Sequence, residues 1–196
     1  MAADDDEALL EKPGSSADLS PELVARRTAA LSHVRKFGDP VLKSQARPVK
    51  RFDDELRSEI ERMGNLMSDA LGVGLAANQV GVLHRVLVYR VLGDGAIAAL
   101  VNPEIEWAGE QTEPFEEGCL SLPGVLVEVE RPIDVRVRAQ DEHGEPLLVE
   151  ASGLEARVIQ HEMDHLDGVL ILDRTSKAER REAMGILREQ SWDDAA

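Results

Sequence analysis

Apolar residues Leu23, Val24, Ala30, Leu31 and Val34 recur at helical intervals, predicting a helix within residues 21–37 that Gly38-Asp39-Pro40 ends. A stronger pattern follows. Leu56, Ile60, Met63, Met67 and Ala70 step by three and four along one face, with Asp53 at the N-cap position and Gly72 where a left-handed C-cap would fall. Between positions 85 and 138 the period changes. Short runs rich in Val, Ile and Leu at 86–91, 96–101, 125–129 and 133–137 predict antiparallel strands, separated by Gly93-Asp94-Gly95, Asn102-Pro103, Pro123-Gly124 and Arg131-Pro132. A turn at Asp141-Glu142-His143-Gly144 precedes one more short strand at 146–149. Ser152-Gly-Leu-Glu155 and Ser176-Lys-Ala-Glu179 have the form of capping boxes; the first opens a helix that Gly168 closes, the second a final helix reaching about Gln190. Helices flank a strand-rich middle without strict alternation, so the expected class is α+β, with antiparallel strands packed around the penultimate helix.

Length and composition narrow this further. A chain of 196 residues suits a single domain, placed here at 21–190, with a short acidic tail at 191–196. Residues 1–20 carry Asp4, Asp5, Asp6, Glu7 and Pro13-Gly14-Ser15-Ser16 with little to bury, and read as a disordered acidic leader. That opening has no apolar stretch behind it and does not read as a secretory signal. Acidic side chains number 38 against 22 Lys plus Arg, a formal charge of −16, which disfavours nucleic acid and anionic membrane as partners. No apolar run approaches the ~18 residues of a membrane span. The lone cysteine, Cys119, can form no internal disulfide, so a reducing cytoplasm is the expected compartment; separately, the chain is expected to be a monomer.

Candidate chemistry sits on the penultimate helix. His161-Glu-Met-Asp-His165 places two imidazoles four residues apart, ~6 Å along one face, where both can reach one ion. Glu162 is rotated by ~100° about the axis, so its carboxylate lies beside the ion, where a general base for water belongs. The bland reading, two hydrogen-bonded core histidines, is weakened by the helical context at both ends. A third ligand must come from elsewhere. Gly168 fits a downstream-histidine metalloprotease, but Ile171 stands where its third His belongs. Glu179 and Glu182 are close behind, in the next helix. Of His84, His143 and Cys119, the thiol is the most informative, because a thiolate suits a tetrahedral site.

Two further segments carry information. Around Cys119, Gly118 lets the backbone approach a ligand closely and Pro123-Gly124 forces a turn. Gly72-Val-Gly-Leu-Ala-Ala77 formally matches a dinucleotide fingerprint, yet it follows a helix and meets Gly81 at once, so a nucleotide site is rejected. That leaves Gln79, polar among small close-packing neighbours, without an explanation.

Taken in order, Gly72-Val-Gly-Leu-Ala-Ala-Asn-Gln79, Glu117-Gly-Cys-Leu-Ser121 and His161-Glu-Met-Asp-His165 resemble the three signature motifs of bacterial peptide deformylases. Gly38-Asp39-Pro40-Val41-Leu42 and Leu166-Asp167-Gly168 extend the resemblance to roughly residues 33–173. It implies removal of the formyl group from the N-terminal formyl-methionine of nascent polypeptides. It implies Cys119, His161 and His165 as ligands, with water as the fourth, of a metal that is usually ferrous iron, with zinc, nickel or cobalt able to occupy the site. Glu162 is then general base and later acid, and the Gln79 amide and Leu120 N–H are oxyanion donors. Val73, with Leu154 and Val158 on the same face within two turns before His161, is expected to line a pocket for methionine, with Gly74 and Gly118 beside the substrate backbone. The resemblance also implies work near the ribosome. Some members are thought to dock there through a basic C-terminal helix, whereas here Lys177, Arg180, Arg181 and Arg188 are offset by Glu179, Glu182 and Glu189. The alternatives are an endopeptidase of the H-E-x-x-H type and a non-catalytic, metal-stabilised peptide-binding module; a closed structural site has no use for a base or an open ligand position.

Overall fold

The computed structural model describes residues 19–91 and 95–193, so the expected leader lies, but for its last two residues, outside the described residues. Helix α1 spans Pro21–Leu31 and α2 Asp54–Asp69. Strand β1 (Gly74–Ala76) leads into a 3-10 turn at Ala77–Val80, then β2 (Val86–Tyr89), β3 (Ala98–Ala108), β4 (Thr112–Cys119), β5 (Leu122–Pro132), β6 (Asp134–Gln140) and β7 (Pro146–Ser152). Helices α3 (Gly153–Leu166), α4 (Ile171–Arg174) and α5 (Lys177–Asp193) follow. The strands pair antiparallel in a five-stranded sheet of order β1-β2-β3-β6-β7 and a two-stranded ribbon β4-β5. Helix α3 packs on strands of both and so ties them together.

The apolar faces predicted for α2 and α3 each find a core, whereas that of α1 is buried only at Ala30, with Val24 exposed. Leu56, Met63 and Met67 of α2 pack with Leu75, Val86, Val88 and Val101. Ala156, Ile159, Met163 and Leu166 of α3 pack with Leu87, Leu100 and Val137. At ~25 cal/mol per Å² of apolar surface, side chains of this size stabilise by about 1.5–3 kcal/mol each when fully buried.

Several local expectations are corrected. The first helix stops at Leu31 rather than continuing to Phe37, because Arg35 N–H and Phe37 N–H donate instead to Gln79 O (2.7 Å) and Ser121 O (2.9 Å). Helix α2 is capped by Asp53 Oδ1 as expected (3.2 Å from Leu56 N), but its left-handed residue is Leu71 (φ 59°), not Gly72. Leu71 N–H bonds Ser68 O and Gly72 N–H bonds Met67 O, the paired bonds of a Schellman end. At Gly72 a Cβ would lie 3.0 Å from Leu120 Cδ1, a tight contact that the leucine tip would have to relieve. Asn102-Pro103 and Pro123-Gly124 do not separate strands; they lie inside β3 and β5 at irregular register. Asn102 tolerates φ 53° because its side chain bonds both Val49 N and Val49 O. Strand β4 has no apolar run to announce it. Ser152 makes no side-chain cap, and Glu155 instead accepts the Tyr89 hydroxyl at 2.8 Å. The Ser176–Glu179 box forms in both directions. Its helix runs to Asp193, three residues past the predicted end, so the expected tail is partly helical and residues 194–196 lie outside the described residues.

Candidate metal and catalytic site

Three elements bring the chemistry together. The end of β4 delivers Cys119, the second half of α3 delivers His161, Glu162 and His165, and the 3-10 turn after β1 delivers Gln79. One donor atom from each of Cys119, His161 and His165 lies within 4.8 Å of the others, and Cys119 Sγ is 3.2 Å from His165 Nε2. The imidazoles meet edge to face, centroids 5.0 Å apart. Burial alone raises the Cys119 thiol, but the positive fields and hydrogen bonds of His165 and His161 outweigh it and draw the thiol well below its ordinary range. Burial lowers His161, and hydrogen bonds to Cys119 and Glu117 reverse this and raise it well above the usual value. The cluster thus concentrates negative charge on sulfur and attracts cations, which is what a thiolate–imidazole metal site requires.

The fit to an ion extends outward. His161 Nδ1 meets Glu117 Oε2 at 2.9 Å, which turns Nε2 toward the cluster in the carboxylate–histidine arrangement of metal centres. Glu117 is itself gripped by Arg131 (2.6 and 2.9 Å) and Arg157 (2.8 Å), and Arg131 continues to Asp164 (2.9 Å). Glu162 is buried, and its Oε2 has no hydrogen-bond partner among the described residues. Burial raises its carboxyl above the ordinary range, while the His161 and His165 charges pull it down. Such an unpaired buried oxygen costs stability unless a proton or substrate group completes it.

Gln79 is fixed as a donor. Its Oε1 accepts Ala76 N–H at 2.8 Å, which leaves Nε2 to face Ser121 Oγ (3.2 Å) and Cys119 Sγ (3.7 Å). Leu120 follows Cys119 in the turn between β4 and β5. Gly74 has a steric reason the sequence did not give: a Cβ there would collide with the Glu162 carboxylate. At Gly118 a Cβ would press on Leu126 at 3.1 Å. Of the expected pocket residues, Val73 is 49% exposed, whereas Val158 is buried and Leu154 partly buried on the face of α3 that meets the sheet core. The other third-ligand candidates lie elsewhere: His84 bonds the buried Glu59 at 2.8 Å, and His143 sits in the β6–β7 turn.

Residues 31–181 match the sequence profile of the polypeptide deformylase family. The chain belongs to that family. It is 51% identical over 161 residues to peptide deformylase 1 of Corynebacterium efficiens, covering 81% of this chain and 95% of that one. The crystal structure of peptide deformylase from Thermotoga maritima superposes with a TM-score of 0.71 at 50% identity, over 73% of this chain and 96% of that one. A peptide deformylase from Synechococcus elongatus, solved in complex with actinonin, gives 0.74 at 45% identity, over 78% and 85%. A family metalloenzyme and a Cys-His-His donor set agree with one another. Glu117 and Arg131 are the site residues that sequence reasoning missed.

Proposed function

We propose that this chain removes the formyl group from the N-terminal formyl-methionine of nascent polypeptides, with Cys119, His161 and His165 holding one divalent ion. Ferrous iron is the ion we assign, with zinc, nickel or cobalt able to replace it; one thiolate and two imidazoles leave a fourth position open. When bound, the ion supplies hydroxide near neutral pH and polarises the formyl oxygen. Glu162 takes the proton released as water attacks the formyl carbon and passes it to the leaving amine. Gln79 Nε2 and Leu120 N–H donate to the formyl oxygen as it gains charge, and the Gln79 amide is already held for this by the Ala76 N–H on its Oε1. Gly74 and Gly118 lie beside the substrate backbone, and Val73, Leu154 and Val158 receive the methionine side chain. The observation that carries this reading is the convergence of three donor atoms within 4.8 Å beside a buried carboxylate oxygen without a partner.

The deciding experiment is an anaerobic preparation assayed on formyl-Met-Ala-Ser, with metal content measured on the same sample. Formate release in proportion to bound iron is expected; cleavage of internal bonds in an unformylated peptide would favour the endopeptidase reading instead. Gln79→Leu tests the oxyanion role: kcat should fall by ~10²–10³ with little change in KM. Residues 21–190 form the working domain in this proposal, acting as a cytoplasmic monomer near the ribosome. No helix among the described residues is long and apolar enough to cross a membrane.

A further inference from the structure

Residues 35–37 run between the two segments that carry the oxyanion donors. Arg35 N–H bonds Gln79 O at 2.7 Å and Phe37 N–H bonds Ser121 O at 2.9 Å. Those are main-chain bonds, and any side chain could stand there. The third contact is specific to this sequence: Lys36 Nζ donates to Leu120 O at 3.0 Å. On the other side of the same peptide unit, Ser121 N–H donates to Cys119 Sγ at 3.4 Å. No peptide bond in the described residues is cis, so the Leu120 carbonyl and the Ser121 N–H point in opposite directions. The ammonium and the sulfur therefore sit at the two ends of one peptide dipole. Positive charge on the carbonyl oxygen makes the N–H a stronger donor, as in any polarised hydrogen-bond chain. The two groups sense each other: burial lowers the Lys36 ammonium, the Cys119 charge pulls it up, and Arg27 adds to the lowering.

We infer that Lys36 is a positioning residue for the deformylation reaction, acting through the Leu120–Ser121 peptide to withdraw charge from the Cys119 sulfur. This rests on the metal centre proposed above. An outer partner of this kind makes the centre a better electrophile, so its loss should appear in kcat rather than in KM. A bond that only tethered an exposed lysine would contribute little and leave the sulfur unchanged.

The test compares wild type, Lys36→Met, Lys36→Gln and Lys36→Arg, each as the cobalt-loaded full chain. The readouts are the sulfur-to-cobalt charge-transfer band, kcat and KM on formyl-Met-Ala-Ser, and the melting temperature. Lys36→Met should move the band to lower energy and reduce kcat by about tenfold with KM within about twofold, the low end for outer-shell partners. Lys36→Gln, a neutral donor, should fall between, and Lys36→Arg should restore both. An unmoved band in Lys36→Met, or an arginine variant no better than methionine, overturns the role of Lys36 while leaving the metal centre standing. A wild-type cobalt protein without that band overturns the centre itself, and the inference with it.

Discussion

Glu162→Ala is expected to lower kcat on formyl-Met peptides by ~10²–10⁴, the usual contribution of a positioned proton shuttle, while the metal content stays at wild-type level. The separation follows from the geometry: the carboxylate lies outside the Cys119, His161 and His165 donor set, so its removal strands no ligand. Stability should move the other way. Glu162 is buried with one oxygen unpartnered, and burial already pushes its carboxyl above the ordinary range, so the native fold gains nothing from the charge. The alanine variant should melt at or above the wild-type temperature. A buried group that weakens the fold and drives the reaction is the usual trade at an active site. The check is kcat, bound metal and melting temperature on one preparation. Turnover surviving in the metal-replete variant would remove the proton-transfer role and leave the ion and oxyanion donors to account for the rate alone.

What the sequence disclosed depended on whether the information was local. The i,i+4 pair His161 and His165 is legible because a helix fixes its own geometry, and the α2 and α3 faces are legible because the core takes only one stripe of each. Cys119 was not reachable this way. It sits 42 residues before His161, on a strand whose sequence, Thr-Glu-Pro-Phe-Glu-Glu-Gly-Cys, shows no apolar run, so thiolate chemistry made it the preferred candidate and the order of three separated motifs then singled it out. Breakers misled where side chains compensated, as Asn102 does by bonding both polar groups of Val49. Arg131 was misread as part of a turn although a signal was present. It continues the two-residue step of Val125, Val127 and Val129, all buried on the inner face of β5, and a charge in that phase demands a partner. Glu117 is that partner, and nothing local distinguishes it from Glu116.

That neighbouring pair gives the sharpest contrast available in the chain. Glu117 and Glu116 are adjacent in β4, hence on opposite faces, the first buried among Arg131, Arg157 and His161 and the second exposed. Burial alone would raise the Glu117 carboxyl, but hydrogen bonds from His161 and Arg131 override it and hold it at about 2. Glu117→Gln leaves the buried Arg131 without a counter-charge on that side and loosens His161. The expected loss is about 3–5 kcal/mol, or roughly 6–20 °C in melting temperature at this size, together with 10–100-fold weaker metal retention against a chelator. Glu116→Gln should change stability by less than ~0.5 kcal/mol. It could even help, since Glu116 pairs directly across from Glu128 and the two like charges repel. The sign of the pH dependence follows from the depressed carboxyl. Its folded value lies below the ordinary 4.5, so the stabilisation is complete above that range and is lost as pH falls toward 2. The gap between wild type and Glu117→Gln should therefore narrow on acidification through that window, while Glu116→Gln tracks wild type throughout. Equal tolerance of the two substitutions at neutral pH would mean that the buried cluster neither holds His161 nor stabilises the ribbon against α3.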